Sequence, residues 1–200
     1  MGWLAIYNKE IIEAKLYRWD KYIKAFSLPA WDELPDFDLY MDQVISLIGR
    51  FLDLLPHGEA NEPVITPSTI NNYVRMKIMP APVKKKYTRI HLAYLIIICL
   101  LKQSLSISVV SRIIPMNISE DEAKDIYNSF VCHHRNVSML YADQVMQSSA
   151  EIFDKSSSDD LPVKNLILDS AICSNLNKLL TEKLVALEIR PKPEADEGEE

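Results

Sequence analysis

The segment Leu92–Leu101 (Leu-Ala-Tyr-Leu-Ile-Ile-Ile-Cys-Leu-Leu) carries no charge, no amide and a single hydroxyl. A bilayer span needs about 20 apolar residues, so this run is too short to cross a membrane. It is also too apolar to leave any face in water. We read it as the middle of a buried helix, from about Arg89 to Gln103, in a soluble protein whose remaining elements must surround it. The rest of the chain is patterned to do so. Leu4, Tyr7, Ile11, Ile12, Leu16, Trp19, Tyr22, Ile23 and Phe26 recur at three- and four-residue steps, the mark of one apolar helix face. A second helix is expected from about Phe37 to Leu55, with Leu39, Val44, Leu47, Ile48, Phe51 and Leu54 on one side. Further helices are expected at 66–77, 108–114, 119–134, 138–153 and 163–187. The last carries Ile172, Leu176, Leu179, Leu180, Leu184 and Leu187 on a stripe. Proline-bearing Ser27–Asp36, the break at His57–Glu62 and polar Lys155–Pro162 read as connectors. No internal repeat and no convincing strand pair appear; Val83–Tyr87 forms at most a small β-wing. The expected class is all-α.

Composition removes several function classes. The 200 residues include four glycines, none clustered, which excludes the Gly-rich phosphate loops of nucleotide-binding proteins. Cys99, Cys132 and Cys173 lie far apart, which is no disulfide scaffold and fits a reducing cytosol. No signal peptide is read at the N-terminus, and a cytoplasmic protein is expected.

The net charge of −6 conceals a partition. Residues 63–119 contain no Asp or Glu, where the chain average would place about eight. They carry eight bases: Arg75, Lys77, Lys84, Lys85, Lys86, Arg89, Lys102 and Arg112. This stretch therefore stands at +8 and the remainder at −14. Concentrated basic charge is the footprint of a phosphate-backbone binder. Burial of the 90–101 helix explains part of the missing acid. A basic face docking an acidic partner surface is the alternative.

One segment adds chemistry to that charge. Thr66 is a good N-cap and Pro67 suits the first helical position. Just inside the helix stand Ser68, Thr69, Asn71 and Asn72, followed by Tyr73, Arg75 and Lys77. Asparagine pairs bidentately with the adenine edge, hydroxyls serve bases or phosphates, and a helix N-terminus favours a phosphate. Lys84, Lys85 and Lys86, with Tyr87 and Arg89, follow as a basic wing.

Ile65-Thr66-Pro67-Ser68-Thr69-Ile70-Asn71-Asn72-Tyr73, then Ile78-Met79-Pro80, then the basic wing and the apolar helix, resemble the winged helix-turn-helix of MerR-type transcription regulators. Their motif runs Val-Ser-Pro-x-Thr-Ile-Arg-x-Tyr-Glu, then Gly-Leu-Leu-Pro, then a Tyr-Arg-x-Tyr wing. Leu101–Val110 is similar to that family's next element, and the likeness covers about residues 65–114. Asn71 stands in place of the motif arginine, Val74 of its glutamate and Lys77 of its glycine. The segment Pro56–Pro63 is no helix, so the helix at 37–55 takes the first position of the helix-turn-helix through a longer loop. Pro82–Gln103 also resembles a bacterial family catalogued only as a domain of unknown function, expected to span about Leu34 to Leu187.

The likeness implies duplex DNA as the partner and transcription regulation as the role. Residues 66–77 would lie in the major groove and Lys84–Lys86 on phosphates. The expected organisation is a helix and connector over 1–36, a winged unit over 37–115, a helical region over 116–188 and a disordered acidic tail over 189–200. Binders of this kind act as dimers on two half-sites, and 163–187 is the expected homodimer surface.

Other constellations do not reach a site. Cys132, His133 and His134 are consecutive, so on a helix they point about 100° apart and cannot share one ion well. Cys99 reads as an inert core thiol, and Asp36, Asp38 and Asp42 as helix-start acids. No cofactor, metal or catalytic residue is assigned, and no small-molecule effector is identified.

Overall fold

The computed structural model describes residues 7–53, 63–154 and 160–187. The expected start at Leu4, the break at His57–Glu62, most of the 155–162 loop and the acidic tail lie outside the described residues, wholly or in part. Among the described residues the chain is all-α: α1 (Lys9–Ala25), α2 (Met41–Phe51), α3 (Pro67–Arg75), α4 (Arg89–Leu101), α5 (Ile107–Ile113), α6 (Glu120–Ser148), α7 (Ala150–Phe153) and α8 (Leu161–Ala186). One 3₁₀ turn spans Trp31–Glu33, and the β content is two isolated bridges, Leu39 with Tyr87 and Val83 with Lys86.

α4 is the axis of the fold. His91 through Cys99 are all buried, as the uniform apolarity requires. α2 and α6 pack directly on it, and the core continues through Leu28, Trp31, Leu34, Ile65, Ile70, Ala123 and Tyr127. This core crosses the expected boundaries at 36/37 and 115/116. The connector is held there by its own backbone: Tyr127 Oη donates to the Pro29 carbonyl at 2.9 Å. The Trp31 N–H donates to Asn128 Oδ1 at 3.0 Å, and the Trp31 and Tyr127 rings meet edge to face.

Several boundaries differ from expectation for local reasons. α1 begins after Asn8, whose Oδ1 accepts the Ile11 N–H at 3.1 Å and caps the helix. α2 starts at Met41 rather than near Phe37. Leu39 is engaged in reciprocal backbone bonds with Tyr87, each 2.8 Å, and Gln43 then caps Tyr40. The helices expected at 119–134 and 138–153 join into α6 as far as Ser148, and Ala150–Phe153 splits off as α7. No Gly or Pro interrupts them, and Asn136 is absorbed by donating Nδ2 to Cys132 Sγ one turn back. The helix ends at buried Ser149, whose hydroxyl donates to the Val145 carbonyl at 2.7 Å, a back-bond that competes with helix continuation. The Ser119/Glu122 capping box forms as read from the sequence, with Ser119 N–H to Glu122 Oε2 at 2.8 Å. These contacts hold the Glu122 carboxyl below its usual range.

α1 lies across α6 and α7, with Tyr17 stacked on Phe153 at 5.0 Å and Lys24 bridging Asp20 and Asp143. α8 rests on α5 and α7. No helix among the described residues is long and apolar enough to cross a membrane.

Candidate nucleic-acid interface

α3 is a short helix with two unlike faces. Thr66 caps it, accepting the Thr69 N–H at 3.2 Å, and its hydroxyl also meets the Thr69 hydroxyl at 2.8 Å. Ile70 and Tyr73, three residues apart, turn into the core. The opposite face carries exposed Thr66, Ser68, Asn71 and Arg75, with half-buried Thr69 and Asn72 beside them. Ser68, Thr69, Asn71, Asn72 and Arg75 together line a shallow, open depression. Within it Arg75 Nη2 donates to Asn72 Oδ1 at 2.6 Å, which orients the Asn72 amide. This face offers hydroxyls, amides and a guanidinium, and no carboxylate.

The end of α3 is closed by a Schellman arrangement. Ile78 N–H donates to the Tyr73 carbonyl and Lys77 N–H to the Val74 carbonyl, both 3.0 Å. The motif requires a left-handed residue, ordinarily glycine, yet Lys77 takes it with φ 55°. The wing repeats the substitution. Lys86 N–H donates to the Val83 carbonyl at 2.9 Å around Lys84 (φ 50°) and Lys85 (φ 63°). Two left-handed central residues are the pattern of a type I′ turn, where Asn-Gly is the usual choice. Among the described residues four non-glycines have positive φ: these three lysines and Asn117. Each lysine held so costs about 1 kcal/mol or more. Lys77, Lys84 and Lys85 are all exposed.

Three residues expected at the interface belong elsewhere. Tyr73 is buried beside Cys99, and burial pushes its hydroxyl up to about 12 and the thiol up to about 11. Its spacing from Ile70 marks the core face, a signal already present in the sequence. Tyr87 is buried, bridged to Leu39 and packed edge to face on His91. Arg89 points inward: Nε and Nη2 donate to the Leu34 carbonyl at 3.2 and 3.0 Å, with the guanidinium 5.8 Å over the Trp31 ring. It ties the connector to α4.

Asp38, read from the sequence only as a helix-start acid, is brought to the wing by the Leu39–Tyr87 bridge and sits 3.5 Å from Lys86 Nζ. The acid-free stretch is therefore not entirely acid-free in space. Both partners are exposed, so the pair is weak, and Lys86 is less available than Lys84 and Lys85.

His134 of the consecutive Cys132-His133-His134 packs against the Phe26 and Phe130 rings, and burial lowers its pKa. Among the described residues no group of three metal-ligating side chains converges.

Residues 29–130 match the family described as Domain of unknown function (DUF1836). That is half of the chain, and the chain belongs to this family. The match runs from the connector to the middle of α6, the span of the α4-centred core. It therefore begins before Leu34 and ends well short of Leu187, leaving α1, the later part of α6, α7 and α8 outside it. No curated protein and no solved structure matches the chain.

Proposed function

We propose that this protein binds duplex DNA and regulates transcription, with α3 entering the major groove and Lys84 and Lys85 gripping an adjacent phosphate backbone. The observation that carries this is the placement of lysine at three left-handed backbone positions around α3. Glycine at 77, 84 and 85 would relieve strain, so the charge is retained against a local stability cost, and such strain concentrates at functional sites. The exposed face of α3 supports the same reading. Asn71 and Asn72 suit adenine edges, while Thr66, Ser68 and Arg75 suit phosphates or guanine. Support also comes from the packing of α2 on α3, followed by a turn bearing lysines and then the buried α4 and short α5, an order compatible with a winged helix-turn-helix.

Selection from a random duplex library tests it. The wild type is expected to enrich a defined sequence. Asn71→Ala with Asn72→Ala should relax that preference at the contacted bases, each good bidentate contact carrying about 1–3 kcal/mol of discrimination. Lys84→Ala with Lys85→Ala should weaken binding evenly across sequences. Absence of any enriched or retained duplex refutes the reading and leaves the docking of an acidic protein surface as the use of this face.

A further inference from the structure

α8 is inside out for a helix that only covers its own domain. The side turned toward its own domain buries little apolar surface: Val163 is buried and Leu166 and Val185 are half-buried, while Ser170, Cys173, Ser174, Asn177 and Thr181 line an open groove against α4, α5 and α6. The side turned to solvent carries Leu161, Leu168, Ile172, Leu176, Leu179, Leu180, Leu184 and Leu187, each between 41% and 69% exposed. Of the 26 residues only Val163 is buried. At roughly 100 Å² for each half-exposed aliphatic side chain, the seven from Leu168 to Leu187 offer about 700 Å², close to the roughly 800 Å² one partner gives to a standard interface.

We propose that a second copy of this chain covers the stripe, the two α8 helices packing antiparallel about a two-fold axis at Leu176. The sequence is self-complementary about that point. Leu168 falls opposite the partner's Leu184, Ile172 opposite its Leu180, and Leu176 opposite itself. The charges decide the direction. Asp169 and Lys183 lie on the stripe seven residues either side of Leu176, both exposed and without an ion pair within the described chain. An antiparallel pair sets each Asp169 opposite a Lys183, twice per dimer, whereas an in-register parallel pair sets like against like. The inference stands on the outward face of α8 and is independent of DNA binding.

Sedimentation of the full chain at micromolar concentration tests it. The wild type should sediment as twice its 22.9 kDa. Leu176→Glu, at an exposed site, should give a monomer of unchanged helicity. Asp169→Lys and Lys183→Asp should each weaken association about tenfold, a shift of about 1.4 kcal/mol, and the double variant should restore it. With Cys132 and Cys173 replaced by Ser, an oxidised mixture of Leu168→Cys and Leu184→Cys chains should yield the mixed disulfide. A monomeric wild type overturns the proposal, as does a monomer that dimerises only once 188–200 are deleted, since the tail would then be the cover. Dimers indifferent to Leu176→Glu, failure of the double charge variant to recover, or disulfides only between identical chains overturn it equally.

Discussion

α4 and α8 are both rich in Leu and Ile, and the fold treats them oppositely. α4 is apolar around its whole circumference and is buried from His91 to Cys99. α8 is apolar on one side, and that side faces solvent, while Ser170, Ser174 and Asn177 line an open groove on the other. The contrast teaches that leucine content alone does not say what a helix packs on. α4 finds its neighbours within the chain, as residues 29–130 build one core around it. α8, outside the family match, leaves its apolar stripe exposed among the described residues.

The sharpest test of this contrast is truncation. Leu95→Ala in α4 should cost about 2–5 kcal/mol, the range for emptying a packed core site, read from the denaturant midpoint. Leu180→Ala in α8 should leave the stability of a dilute, monomeric sample within about 0.5 kcal/mol. Equal costs would erase the distinction.

A second comparison sets stability against binding on the α3 face. Lys77→Gly should stabilise the fold by about 0.5–1 kcal/mol, because a left-handed position is freed of its side chain. The same change should weaken duplex binding. A variant both more stable and equally tight would remove Lys77 from the interface.

His91 and His134 supply a pH test. Burial lowers both pKa values, so the unfolded chain takes up protons that the fold refuses. Stability is fully present above the ordinary histidine value of about 6.5 and falls as pH drops below it. The melting temperature should therefore decline between pH 7 and pH 5, and His134→Leu should flatten that decline.

The smallest effect is expected at the wing base. Asp38→Asn breaks only the exposed pair with Lys86, so stability should move by less than about 0.5 kcal/mol. Duplex affinity should rise as Lys86 is released.

Much of this was readable from the sequence, and the limits are physical. Periodicity identified the helices and uniform apolarity marked α4, because both follow from local pattern alone. The Thr66-Pro67 cap and the Ser119/Glu122 box were legible because capping acts within four residues. The inward turns of Tyr87 and Arg89 were not. Each depends on a partner dozens of residues away, Leu39 for one and Leu34 for the other. The same non-local Leu39–Tyr87 bridge shortened α2 and carried Asp38 to the wing. For the candidate site, residue types pointed to Ser68, Thr69, Asn71, Asn72 and Arg75, which the fold brings to one face of α3. The strained backbone at Lys77, Lys84 and Lys85 became visible only with φ angles.

The salt dependence of duplex binding tests the central claim most directly. If Lys84 and Lys85 contact phosphates, log affinity should fall linearly with log salt concentration. The slope for Lys84→Ala with Lys85→Ala should be shallower by about 2, at roughly 0.9 per phosphate contact. No measurable duplex binding at 50 mM salt, or the same slope in both proteins, would contradict it.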